Sequence, residues 1–236
     1  MAGQHACLVR TREGSGLPAI VASSGIGSSP EAIRVAKNMA RWYKHPWHMV
    51  QDGKVYTLDS VDYRTPVKPL PPYPWLKVTT QEWLDNKLLL VPKSRRMQIT
   101  WLMACLHLWL AMFHPGMTVF LVSDKEEKSD ELVRRCEFIL DNIPDTDILK
   151  PKKKSRYCYL GFPGINSYIR GIPQGASQLR QYTASAILFD EFAFWESGQK
   201  ETLGAARPTL EGGGRLTIVS SVLEGPWKEF VFDETM

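Results

Sequence analysis

The sequence predicts an α/β fold, a mostly parallel sheet with helices on both faces, and three stretches carry that prediction. Leu88 to Val91 is a short apolar run without polar alternation, as in a strand buried on both faces. It feeds a polar, basic turn and then the apolar, helix-length run Ile99 to Phe113. Thr118 to Ser123, TVFLVS, repeats the buried-strand pattern after the Pro115-Gly116 break. Ala186 to Phe189 repeats it again and ends in Asp190-Glu191. Strands alternating with helical patterns are the sequence signature of a parallel sheet.

Taken in order, residues 1 to 28 have weak periodicity and end in the Gly/Ser-rich SSGIGSS, so the ordered core is expected to begin later. Ser29-Pro30-Glu31 reads as the N-cap, N1 and N2 of a helix running to about Tyr43, with Ile33, Ala36, Met39 and Ala40 on one face. Trp47 to Val50 and Lys54 to Leu58, joined by Gln51-Asp52-Gly53, read as a hairpin. The expected division is a partly flexible extension, 1–46, ahead of the main domain, 47–236. A Pro-rich connector, PVKPLPPYPW, leads into a helix from about Thr80 to Asn86.

Beyond TVFLVS, the run SDKEEKSDELVRRCEFILDNI reads as an amphipathic helix with Leu132, Cys136, Ile139 and Leu140 inward and its charges as a solvated face. The densest basic run, KPKKKSR from Lys150 to Arg156, reads either as a contact for nucleic-acid phosphates or as a solvated loop. CYLGFPGINSYIRGIP reads as a hairpin around Pro163-Gly164-Ile165-Asn166. A helix from Ser197 to Leu210, a Gly212–Gly214 turn and a parallel strand from Arg215 to Val219 follow, with Ser220 and Ser221 at the strand's end.

Strand, basic turn and buried helix form the layout of a phosphate-binding loop, where backbone N–H groups and a helix N-terminus face an anion. The usual fingerprint is GxxxxGK(S/T). Laid over Lys93 to Thr100, only the final Thr survives: Lys93 stands at the first Gly, Gln98 at the second and Ile99 at the Lys. A cation on the opposite rim can reach the same β/γ-phosphate oxygens, and Lys93, Arg95 and Arg96 qualify. Thr100 Oγ would ligate Mg²⁺. Alone, the stretch reads equally as a basic surface turn before a core helix. The acidic pair decides between them. Strand ends deliver residues to the crevice where open α/β sheets bind ligands. There Asp190 can hold Mg²⁺ and Glu191 can polarise a water. The pair follows Thr100 by about 90 residues, with an α/β segment between.

Three stretches, VPKSRRMQITWL, ASQLRQYTASAILFDEFAFW and RLTIVSSVLEG, resemble in that order the ATPase domain of the large terminase subunit of tailed bacteriophages. The resemblance covers about residues 47 to 225. It implies a P-loop ATPase of the additional-strand type that takes ATP and Mg²⁺ and powers DNA packaging into procapsids. Implied partners are double-stranded DNA, the small terminase subunit, and copies of the same chain in a homo-oligomeric ring on a capsid portal. The implied location is the host cell cytoplasm. The resemblance further implies a phosphate-binding run of Lys93, Ser94, Arg95, Arg96, Met97, Gln98, Ile99 and Thr100, with the functional lysine at its start. Many members keep Gly where Gln98 stands here.

The family's segment ahead of the loop contacts adenine, which makes Tyr73, Trp75 and Gln81 candidates; core packing for Trp75 and a helix start for Gln81 are the competing readings. A loop facing the neighbouring subunit is implied for QGASQLRQYTAS, where Arg180 would neutralise charge on the transferring phosphoryl group. Arg170 and Arg207 compete for that role. Ser220 and Ser221 match the hydroxyl motif that senses the γ-phosphate, a task hydroxyls suit because they donate and accept. Rival readings are a helicase-like nucleic-acid ATPase and a degenerate P-loop module that binds nucleotide or DNA without turnover.

At 236 residues, 44% hydrophobic and 23% charged, the chain can bury one substantial core. Its net charge of +4 permits an acidic partner without demanding one. Cys7, Cys105, Cys136 and Cys158 show neither a CxxC pair nor metal spacing, so reduced thiols are expected. The longest apolar stretch falls short of the roughly 20 residues a membrane span needs. No signal peptide is visible, and no membrane partner is expected. After Gly225 only Glu229, Asp233 and Glu234 remain, too few for a two-metal nuclease, so ATP hydrolysis without DNA cleavage is the expectation.

Overall fold

Five parallel strands and an antiparallel hairpin at one side build a seven-stranded sheet. The computed structural model describes residues 30–59, 61–143, 152–180, 183–195, 197–223 and 226–232. Helices α1 (Pro30–Lys44) and α2 (Trp47–Gln51) precede a small ribbon of β1 (Tyr56–Leu58) and β2 (Val67–Pro69). Then come α3 (Pro74–Asp85), β3 (Leu88–Lys93), α4 (Ile99–Phe113), β4 (Thr118–Ser123) and α5 (Glu126–Asp141). The hairpin strands β5 (Lys154–Arg156) and β6 (Tyr159–Phe162) lead into β7 (Ser167–Pro173) and the short α6 (Ala176–Arg180). The chain continues through β8 (Ala186–Asp190), α7 (Gln199–Glu211), β9 (Arg215–Ser221) and α8 (Pro226–Phe232).

The sheet order is β3-β9-β8-β4-β7-β6-β5. Thus β9 is inserted between β3, which leads into the basic turn, and β8, which ends in the carboxylates. Side chains alternate across the sheet with period two. Val119, Leu121, Leu188 and Val219 face one core, shared with α4 and α5. Phe120, Val122, Ile187, Phe189, Leu216 and Ile218 face the other, closed by Ala205 and Ala206 of α7 and Trp227 of α8. Burial on both faces explains the unbroken apolar runs of β4 and β8.

Four expectations need correction. First, β3 is not buried on both faces: it pairs with β9 alone among the described residues, and Leu88 is 46% exposed. An apolar run cannot by itself tell an edge strand from a central one. Second, Trp47–Val50 is not a strand but part of α2, which starts after Pro46 and buries Trp47, Met49 and Val50. The chain turns at Gly53, φ +64°, a backbone that glycine adopts without strain. Asp52 fastens that turn, taking Trp42 Nε1 at 2.9 Å and Arg41 at 2.7 Å. β1 pairs instead with β2, inside the Pro-rich connector.

Third, α3 begins at Pro74, where proline suits the first helical turn, rather than at Thr80. Fourth, the inward stripe of α1 is Val35, Met39 and Trp42, and Ile33 is exposed. The indole of Trp42 sets the helix's rotation, and Trp109 of α4 donates to the Trp42 carbonyl at 2.7 Å. Residues of α1 therefore join the same core as α4. Trp83 of α3 is buried, donates to Thr217 Oγ1 at 3.0 Å and lies 3.9 Å beneath the Arg215 guanidinium, which ties α3 to β9. Cys105, Cys136 and Cys158 are buried free thiols. Residues 1 to 28, including Cys7, lie outside the described residues.

Candidate active site

Because β3, β9 and β8 run parallel and adjacent, their C-terminal ends fall on one edge of the sheet. The register sets Lys93 beside Ser221, Pro92 beside Ser220 and Asp190 beside Val219. Residues far apart in sequence meet there because the strands end together.

The turn after β3 keeps a glycine-like backbone without glycine. Arg96 (φ +65°) and Gln98 (φ +62°) are both left-handed. For a residue carrying a Cβ that conformation costs roughly 1–2 kcal/mol. Gln98 caps α4, and its carbonyl accepts from Leu102 N at 3.0 Å. Ile99, at the fingerprint's lysine position, is 2% exposed and points into the core, so it offers an anion only its backbone. Met97 Sδ accepts from Ser94 N at 3.2 Å, closing the turn on itself. A crater of about 230 Å³ lies over this turn, bordered by Lys93, Ser94, Arg96, Met97, Gln98 and Thr100.

From the rim, Lys93 Nζ reaches Glu191 Oε1 at 2.5 Å, and Glu191 Oε2 accepts from Ser221 N at 3.3 Å. Glu191 is itself left-handed (φ +49°), which turns the chain sharply at the end of β8. Thr100 Oγ1 donates to Asp190 Oδ1 at 3.4 Å. Asp190 is buried, and burial with the neighbouring Glu191 carboxylate holds its carboxyl up at about 6; Lys93 and Arg135 pull the other way. The two serines divide. Ser221 faces the cavity, whereas Ser220 is buried and accepts from Ala193 N at 3.0 Å, bracing the turn behind the carboxylates. Alternation along a strand sends neighbours to opposite faces, so only one of the pair can face the cavity.

A cavity of about 420 Å³ joins these groups to Arg95, Ser123 and Asp124. Lys128, Glu131 and Arg135 of α5 form its third wall, so part of that helix's charged face is not simply solvated, contrary to the sequence expectation. Their spacing of three and four marks one stripe of a helix that leaves β4 at the same sheet edge, the one signal that could have found them.

The donor set fits a hard divalent cation. A hydroxyl and a carboxylate oxygen meet at Thr100 and Asp190, and Asp190 is a buried carboxylate short of positive charge. Among the described residues no group of three or more His, Cys, Asp or Glu forms a self-sufficient cage. Mg²⁺ is characteristically held by one or two protein ligands, waters and substrate phosphates.

The HK97 bacteriophage large terminase superposes with a TM-score of 0.55 at 13% identity, over 75% of this chain and 38% of that one. The chain shares its α/β fold with part of that terminase. Two further structures are similar at lower scores. The Thermus phage P74-26 large terminase ATPase domain gives TM-score 0.44 and 16% identity, over 61% of this chain and 62% of that one. The N-terminal domain of the DNA packaging ATPase from bacteriophage phi29 gives TM-score 0.46 and 14% identity, over 65% and 83%. By sequence, neither a protein-family model nor a curated protein matches. The chain spans about two fifths of the HK97 protein's length.

On this fold, Tyr73 and Trp75 form a stacked pair 4.3 Å apart beside the turn after β3, and Trp75 Nε1 donates to Met97 O at 3.2 Å. Trp75 is 41% exposed, so core packing does not account for it. Gln81 is exposed within α3 rather than at its start, and its amide donates to Asp85 at 2.9 Å. Arg180 is exposed and is not gathered with the carboxylates of its own chain. It borders a separate cavity with Thr183 and Ala184, just before the start of β8 and so at the opposite end of that strand from Asp190. Arg207 is exposed on α7, and Arg170 lines another cleft with Arg156.

In the basic run, Lys150 and Pro151 lie outside the described residues. Lys152, Lys154 and Arg156 are exposed, while Lys153 pairs with Glu137 at 2.8 Å and Asp141 at 2.7 Å. No helix among the described residues is long and apolar enough to cross a membrane.

Proposed function

We propose that this chain hydrolyses ATP and uses the energy to drive viral double-stranded DNA into a procapsid. The observation that carries the reading is the meeting of Lys93, Thr100, Asp190 and Glu191 at one sheet edge, over a turn with a phosphate loop's backbone. Lys93 and the loop from Ser94 to Thr100 grip the phosphates. Thr100 and Asp190 would hold Mg²⁺, which would supply neutralisation of the phosphate charge. Glu191 orients the attacking water, Ser221 senses the γ-phosphate, and Ser220 fixes the turn behind Glu191. The Tyr73–Trp75 pair offers a flat surface for adenine.

In the working assembly, a homo-oligomeric ring on a capsid portal in the host cytoplasm, Arg180 completes a neighbour's site. The placement of Arg180 away from the carboxylates of its own chain supports that role across a boundary. The small terminase subunit hands over the DNA.

Phosphate release from ATP–Mg²⁺, with and without linear double-stranded DNA, tests this on wild type and Glu191→Ala. Turnover that DNA stimulates and Glu191→Ala abolishes is the expected result. Nucleotide binding without turnover in the wild type would replace the motor with a binding module.

A further inference from the structure

Position 99 brings no cation to the phosphate loop, yet a guanidinium reaches the loop from a different helix. Arg135 of α5 borders both the crater over the turn and the carboxylate cavity, as Thr100 also does. Its side chain is 27% exposed and held from two sides: Glu131 Oε1 lies 2.6 Å from Nη2, and the Trp101 ring centroid lies 5.5 Å from Cζ. Stacking occupies the face of a guanidinium and leaves its in-plane donors available, in the fork that suits phosphate. Arg95, Arg96 and Lys128 are exposed, and Lys93 is held by Glu191. Arg135 is therefore the most pre-organised cation facing this space apart from Lys93. Its charge already reaches Asp190, where it opposes the effect of burial.

We infer that Arg135 is a second phosphate-binding cation, supplied by the same chain, which leaves Glu131 to grip the β/γ end of a bound nucleoside triphosphate. The inference rests on the nucleotide reading above and adds a residue to it. Glu131 neutralises Arg135 and would compete with the phosphates for it. Because Arg135 shares the carboxylate cavity with Thr100 and Asp190, the groups that would hold Mg²⁺, the contact is assigned to the metal-bound end of the triphosphate, with the γ-phosphate as the group that separates ATP from ADP.

The test is equilibrium binding of the fluorescent analogues mant-ATP and mant-ADP, with Mg²⁺, to the full chain. The proteins compared are wild type, Lys93→Ala, Arg135→Ala, Arg135→Lys, and Glu131→Gln with and without Arg135→Ala. Loss of a charge-assisted hydrogen bond predicts that Arg135→Ala weakens mant-ATP about 10- to 100-fold, and mant-ADP much less. Arg135→Lys should recover part of the loss, as a point charge without the fork. Glu131→Gln should tighten mant-ATP, and that gain should vanish in the Arg135→Ala background. Wild-type mant-ATP affinity in Arg135→Ala, alongside lost binding in Lys93→Ala, would overturn this inference and leave the nucleotide reading standing. Equal loss of both analogues with a lowered melting temperature would also overturn it, leaving Arg135 as packing between α4 and α5. No mant-ATP binding by the wild type would remove both readings together.

Discussion

Lys93 Nζ lies 2.5 Å from Glu191 Oε1, joining the end of β3 and its basic turn to the end of the acidic strand. Lys93 is 8% exposed in this pair, and Glu191 also takes the Ser221 amide. Lys93, proposed to bind phosphate, and Glu191, proposed to orient water, therefore neutralise one another. Under the proposed function, a bound triphosphate would compete for Lys93 and so free Glu191, which would link nucleotide binding to readiness for hydrolysis.

Lys93→Ala should then abolish turnover and weaken nucleotide binding, read by phosphate release and mant-ATP titration. Restoring the fingerprint with Ile99→Lys should not rescue it. Ile99 points into the core, and burying an unpaired ammonium there costs several kcal/mol, so that variant should lose stability instead. Wild-type turnover in Lys93→Ala would pass the role to Arg95 or Arg96.

Gln98 makes the loop's backbone testable. At φ +62° it has the conformation that a glycine would hold freely. Gln98→Gly removes roughly 1–2 kcal/mol of left-handed strain and gives back about 0.5–1 kcal/mol in chain entropy. Stability should shift little, and nucleotide binding should persist. Gln98→Val should lower stability, because a β-branched residue tolerates positive φ least. Urea unfolding of the pair checks both; equal stability of the Gly and Val variants would contradict the assigned backbone.

His107 gives the fold a pH dependence. Nδ1–H donates to Met103 O at 2.8 Å, Nε2 is buried without a partner, and burial, with the charge of Arg215 adding, holds the imidazole down at about 4 against an ordinary 6.5. A depressed histidine contributes stability that is complete above pH 6.5 and is lost as pH falls through about 4. One pKa unit corresponds to about 1.4 kcal/mol, so this residue accounts for on the order of 3 kcal/mol across that window. His107→Gln should flatten the fall in urea stability between pH 6.5 and 4. An unchanged slope would show that other groups carry it.

Arg180 lies away from the carboxylates of its own chain, so a site that uses it needs two chains. Specific activity should rise with protein concentration. Mixing inactive Arg180→Ala with inactive Glu191→Ala should restore some turnover, because mixed contacts pair an intact arginine with an intact glutamate. Concentration-independent turnover, or no rescue, would place the whole site within one chain.

What the sequence made legible follows burial. β4, β8 and α4 are enclosed enough that apolar runs announce them, and the acid pair at the end of β8 inherits that clarity. β3 shows the limit, since the same run serves an edge strand. Trp47–Val50 is too short for period two to be told from period 3.6, and its helix rests on burial of Trp47, Met49 and Val50 and on the Trp42–Asp52 contact in space. The loop's geometry was hidden because Gln98 adopts a glycine's backbone without being one. On α5, charge pattern alone could not show which part of the polar face meets the crevice, so Lys128, Glu131 and Arg135 went unassigned. Ser220 and Ser221 looked equivalent until alternation sent them to opposite sides.

The central claim, that Asp190 and Glu191 divide metal binding from water activation, is tested most directly by measuring mant-ATP affinity and phosphate release together on Glu191→Gln and Asp190→Asn. Glu191→Gln removes the carboxylate proposed to orient the water and should keep ATP–Mg²⁺ binding near the wild-type level while stopping hydrolysis. Asp190→Asn should weaken Mg²⁺-dependent binding itself. Hydrolysis persisting in Glu191→Gln, or equal loss of affinity in both variants, would contradict the account.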